Sequence, residues 1–149
     1  MTVASITKDA AERPFMTVVR ELVRAYQAFA AYDAAAYRDT DLTVPQADVV
    51  FTLGNTDGLT CKEIGEKTLI TKGTLTGVLD RLEAKGLVRR IPRPEDRRSV
   101  RIRLTEAGEQ VFAERFPRQI AWLEARFKAL SPAELEDASR VLRRIRELF

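Results

Sequence analysis

From Phe15 onward the apolar residues recur in steps of three and four: Phe15, Val18, Val19, Leu22, Tyr26, Phe29 and Ala30. That period predicts a long helix over about residues 12–37, with Pro14 tolerated in its first turn. Thr43 then reads as an N-cap, with Pro45 in the first turn and Gln46 closing a capping box. A helix through Val49, Val50 and Leu53 follows, ended near Gly54 by a turn over residues 55–58. Thr60 and Glu63 form a second capping box, which opens a short helix through Ile64 to about Lys67. After an interruption at 68–71, Thr71 caps a helix over 72–85 whose apolar face is Leu75, Val78, Leu79 and Leu82. Gly86 is its stop. Two short helices on a tight linker predict a helix-turn-helix.

Beyond Gly86 the period shifts to two. Residues 87–91 and 100–104 read as strands, the second alternating Val100, Ile102 and Leu104 with Arg101 and Arg103. The connection from Pro92 to Ser99 is eight residues long, where hairpin loops usually run about two to five. Thr105 starts a helix with the stripe Val111, Phe112, Phe116, Ile120, Leu123, Phe127 and Leu130. Pro117 inside it costs about 3 kcal/mol unless the helix kinks, and a kink is expected there. Ser131, Pro132 and Glu134 then cap a last helix, faced by Leu135, Ala138, Val141, Leu142, Ile145 and Leu148. The fold class is mainly α with a small β-hairpin.

Apolar content of 45% and charged content of 32% over 149 residues describe one globular domain. The chain has no apolar run of membrane-spanning length, and its N-terminus lacks the pattern of a secretory signal. A cytoplasmic protein without a membrane partner is expected. With one cysteine and no histidine, intramolecular disulfides and histidine-based triads are excluded, and so is the commonest transition-metal ligand. No carboxylate, lysine or tyrosine pairing nominates a catalytic site, so neither an enzyme nor a metal or other cofactor is expected. Charge is concentrated in one place. Residues 81–103 carry nine basic and three acidic side chains, a local +6, so the remainder sums to −3 against a net +3. A mildly acidic body with one basic probe points to a polyanionic partner.

The stretch LTCKEIGEKTLITKGTLTGVLDRLEAKGLVRRIPRPEDRRSVRIRLTEAGE, residues 59–109, resembles the MarR family of bacterial winged helix-turn-helix regulators. VLDRLEAKGLV at fixed distance from DRRSVRIRLTEAG is its most specific part. The resemblance implies a single domain over 1–149. Its winged DNA-binding head spans about 43–104, and N- and C-terminal dimerisation helices lie over about 12–37 and 105–149. It also implies a homodimer on double-stranded DNA, commonly a repressor released by a small-molecule effector or an oxidant.

On the 72–85 helix, Lys72, Gly73, Thr74, Thr76 and Gly77 lie off the apolar face near the N-terminus. That is the end a recognition helix presents to base edges. They read either as base and phosphate contacts or as caps and solvated positions. Arg81 reaches phosphate or pairs with Asp80 or Glu83. By resemblance Arg98 enters the minor groove, with Asp96 bracing Arg98 or Arg97, and Arg90 at the wing base contacts the DNA backbone. Arg93, Arg101 and Arg103 are weaker phosphate candidates. Cys61 reads as a small, inert, partly buried residue rather than a redox sensor. Tyr26, Phe29, Phe51, Phe112, Phe116 and Trp122 line either an effector pocket or plain core. The rival readings are a winged-helix protein–protein adaptor that does not bind DNA, and an enzyme built on carboxylates or Tyr/Lys.

Overall fold

The computed structural model describes residues 9–149. The chain divides after Val44 into two compact units. In the first, helix α1 spans Pro14–Ala35, with Pro14 at its start and Arg13 as an extended N-cap. Its predicted apolar stripe is present, yet no residue of α1 is buried.

The second unit, from Pro45, contains all but the first residue of α2 (Val44–Leu53), then β1 (Leu59–Thr60), α3 (Cys61–Thr68), α4 (Lys72–Ala84), β2 (Val88–Arg93), β3 (Asp96–Leu104), α5 (Glu106–Phe127) and α6 (Pro132–Arg146). Its core is formed by Ala47, Val49, Val50 and Leu53 of α2, Ile64 of α3, Leu75, Val78, Leu79 and Leu82 of α4, and Val88, Ile102 and Leu104 of the sheet. Full burial of each valine, leucine or isoleucine contributes about 1.5–3 kcal/mol, so these side chains hold the head together. Gln46, read as a capping residue, is buried, and its Oε1 accepts a 3.1 Å hydrogen bond from Lys85 Nζ at the far end of α4. A buried polar group requires such a partner.

The sheet has three antiparallel strands in the order β1-β3-β2. The sequence reading missed β1. It is two residues long, pairs Leu59 with Ile102 and Thr60 with Arg101, and carries too little alternation to register as a strand.

The hairpin corrects a second expectation. In place of an eight-residue loop, β2 runs to Arg93 and β3 begins at Asp96. The extra chain is taken up inside the ladder, where Pro92 pairs with Val100 but Arg93 pairs with Asp96. Residues 97–99 of β3 thus have no counterpart on β2. Pro92 has no N–H to donate, and proline inside a sheet is confined to edges and bulges. A bulge at this step is the physical outcome.

α5 is fixed against the head at its start. The Thr105 N–H donates to Leu87 O at 3.0 Å, and its hydroxyl accepts from the Gly108 N–H at 3.1 Å. A Cβ on Gly108 would come within 2.1 Å of Leu87 O, so only glycine permits this approach. α5 continues as one helix through Pro117. The α6 capping box forms as read: Ser131 Oγ accepts from the Glu134 N–H, and Glu134 Oε2 accepts from the Ser131 N–H at 2.8 Å. Those bonds hold the Glu134 carboxyl below the usual glutamate range.

Candidate nucleic-acid interface

α4 buries one face and exposes the other. Leu75, Val78, Leu79 and Leu82 face the core, while Lys72, Gly73, Thr74 and Thr76 are exposed at the N-terminal end and Gly77 is half-buried. Nothing lies within 4 Å of where a Gly73 side chain would begin. The surface is open to close approach, at the end where the helix dipole favours an anion. Thr71 holds the N-cap position, but its side chain makes no cap bond and instead hydrogen-bonds the Thr74 hydroxyl at 3.1 Å. The Thr76 hydroxyl donates back to Lys72 O at 3.3 Å.

At the wing base, Arg90 of β2 bridges two carboxylates of α4. Its guanidinium donates to Asp80 Oδ1 at 2.7 Å and to Glu83 Oε2. The i,i+3 spacing sets both acids on one helical face, and the Asp80 bond, followed by the charge of Glu83, raises the Arg90 pKa further. The two acids offered to Arg81 in the sequence reading therefore belong to Arg90, and Arg81 stays exposed outside the cluster. An arginine read only as a phosphate contact ties the wing to α4 with two of its five donors. Spacing alone does not reveal this, because strand-to-helix proximity is tertiary.

The strand arginines are not equivalent. Arg101, a candidate phosphate contact by alternation, is half-buried. Its Nη1 donates to Gly58 O at 3.2 Å, and its Nε is buried without a hydrogen-bond partner among the described residues. Arg103 faces Asp57 at 3.9 Å. Both are directed at the turn before β1, which anchors β3 from its far side. At the same corner Glu63 Oε2 accepts the Thr60 N–H at 2.7 Å, and this bond, then the Thr60 hydroxyl, holds its carboxyl below the ordinary range. Asp96 sits opposite Arg93 where the bulge begins. The side chains of Arg97 and Arg98 lie outside the described residues.

Cys61, expected to be partly buried, is exposed. It borders an open groove of about 550 Å³ shared with Thr60, Lys62, Arg90, Ser99, Val100 and Ile102. Of the aromatic candidates, Phe51, Phe112 and Phe116 form one cluster. Phe51 meets Phe116 edge-on at 5.4 Å between centroids, and Phe112 stacks on Phe116 at 5.1 Å. Tyr26 and Phe29 lie in the other unit, 69% and 45% exposed, and Trp122 is also exposed. No His/Cys/Asp/Glu group among the described residues could hold a metal ion. No helix among them is long and apolar enough to cross a membrane.

Residues 42–100 match the profile of the MarR family. A regulator of the helix-turn-helix type from Bacillus subtilis, YfiV, is 35% identical over 102 residues, covering 68% of this chain and 64% of that protein. The chain spans about half the length of several other curated relatives it matches. Among solved structures, BpsR of Bordetella bronchiseptica, described for the regulation of its DNA binding by 6-hydroxynicotinic acid, is 30% identical. The match covers 91% of this chain and 94% of that one, with a TM-score of 0.78. Sco3205 of Streptomyces coelicolor, solved in complex with DNA, shares the fold at a TM-score of 0.80 and 24% identity, over 89% of this chain and 86% of that one.

Proposed function

Because the chain belongs to the MarR family, we propose that it regulates transcription by binding duplex DNA as a homodimer at a pseudo-palindromic operator. The observation that carries this reading is the division of α4. Its core face is completely buried, while Lys72, Gly73, Thr74 and Thr76 stand open at the N-terminal end, beside an arginine-rich wing. Lysine and threonine can bond base edges or phosphates, and glycine admits the DNA backbone. Gly77 and Arg81 continue that surface toward the phosphates. Arg98 at the bulged tip enters the minor groove, where a narrow negative channel attracts guanidinium, with Asp96 bracing Arg98 or Arg97. Arg90 keeps unengaged N–H donors for the DNA backbone while holding the wing to α4.

Homodimerisation is supported by the uncovered apolar faces of α1 and α6, on which no residue is buried in the single chain. Burying such faces is the usual source of stability in an obligate interface. Two recognition helices related by a twofold axis require half-sites about one turn, roughly 34 Å, apart. The protein acts as a repressor released by a small effector bound at the cluster of Phe51, Phe112 and Phe116. The ligand-regulated DNA binding of BpsR supports this part of the reading.

Selection of genomic fragments on the purified protein tests the proposal. A regulator enriches a palindromic site and protects two half-sites one turn apart. An adaptor enriches nothing above the non-specific background.

A further inference from the structure

The turn between α3 and α4 holds a residue whose backbone caps α3, its N–H donating to Gly65 O at 2.9 Å, but whose side chain neither core packing nor capping explains. Leu69 closes α3 with φ 61° and ψ 12°, in the left-handed region. Glycine enters that region freely, whereas a leucine does so only against crowding between its Cβ and the following carbonyl. The other described non-glycine residue with positive φ is Asn55, a type for which the conformation is common. Leu69 is also 87% exposed. A helix ending in a left-handed residue often gains an apolar contact with its own last turn, and this exposure leaves the leucine without appreciable burial there. The fold thus holds a large apolar side chain, in a conformation it disfavours, out in solvent.

Its position gives this meaning. Leu69 is three residues ahead of Lys72, the first residue of α4, so its Cα lies within about 11 Å of the recognition helix. We propose that Leu69 is a specificity-determining residue of the DNA interface, packing on the C5-methyl group of a thymine in the major groove. The inference rests on the DNA-binding reading above. Base edges in the major groove display hydrogen-bonding groups and a single apolar one, the thymine methyl. Lys72 and the hydroxyls of Thr74 and Thr76 suit the polar edges, and Leu69 adds a purely apolar reader, larger than a threonine methyl. Contact with the methyl removes from water a side chain that the protein alone leaves exposed.

The test uses the full chain and the duplex recovered by genomic selection. Each thymine of one half-site is replaced in turn by uracil, which deletes only the C5-methyl, and binding is compared for the wild type, Leu69→Asn and Leu69→Gly. Both replacements suit the left-handed backbone, so their melting temperatures should match or exceed that of the wild type. At one thymine per half-site, uracil should weaken wild-type binding about fourfold, the value of one buried methyl-sized group. Both variants should bind the thymine and uracil duplexes equally well. If the wild type shows no such position, or the variants keep its discrimination, the assignment of Leu69 is overturned while DNA binding stands. Failure of the wild type to enrich any duplex overturns both.

Discussion

α4 and α6 are helices of similar length, 13 and 15 residues, and each carries a stripe of leucine and valine. α4 buries its stripe completely, whereas α6 buries nothing and leaves Val141 and Leu142 45% and 53% exposed. The same periodicity thus has two outcomes. An amphipathic pattern shows that a helix needs a partner surface, but not whether that surface belongs to the same chain. The head is complete by itself. The terminal helices leave their stripes uncovered in the single chain, where the proposed homodimer would place a second copy, and a polar substitution should separate the two cases.

The largest effect belongs to the head. Leu79→Ala should cost about 2–5 kcal/mol of stability by opening a cavity in a filled core, read by urea denaturation. A loss well under 1 kcal/mol would mean that the α4 face is not the core described. Leu142→Glu should leave the head folded but give a monomer in sedimentation, with operator affinity reduced about 100-fold once the second head is no longer tethered. A variant that stays dimeric would remove α6 from the interface.

Smaller effects test the wing. Arg90→Gln leaves Asp80 and Glu83 facing each other without a cation, and should cost about 1 kcal/mol in stability. Adding Asp80→Asn should recover part of that loss, which a phosphate contact alone would not explain. Arg98→Ala should weaken operator binding by about 1 kcal/mol with unchanged melting temperature. Unchanged affinity would refute the minor-groove role.

The smallest effect is at the capping boxes. Glu63 and Glu134 are held below the ordinary glutamate range by backbone N–H groups. Their contribution is therefore complete above the unfolded pKa of about 4.3 and is lost as pH falls through the lower folded value. Glu134→Gln should lower the melting temperature slightly at pH 7 and narrow the difference between pH 7 and pH 3. A difference that stays the same would mean the box does not titrate with folding.

The helices were legible because their signals are local. Thr60 with Glu63 and Ser131 with Glu134 cap as read, and Gly86 follows α4 with φ 72°. Thr71 shows the limit of that logic, since a neighbouring hydroxyl at Thr74 competes for its side chain. The wing was legible in composition but not in geometry. The eight residues from Pro92 to Ser99 suggested an overlong loop, whereas the ladder absorbs the extra residues as a bulge at Pro92. The assignments of Arg90 to α4 and of Arg101 to the Gly58 carbonyl depend on contacts across 7 and 43 residues of sequence. No periodicity encodes such contacts. Leu69 could have been noticed from the sequence as a leucine in a tight turn, but its left-handed backbone and exposure could not.

If two basic heads grip one duplex, as proposed, binding must weaken steeply as salt rises. A labelled duplex carrying the selected site would be titrated with protein between about 50 and 200 mM salt, the stoichiometry being read at the lower end. Two chains should bind per duplex, and affinity should fall linearly in log–log form by roughly 10³-fold or more as condensed counterions are released. An affinity indifferent to salt, or equal to that for a scrambled duplex of the same length, would contradict the account.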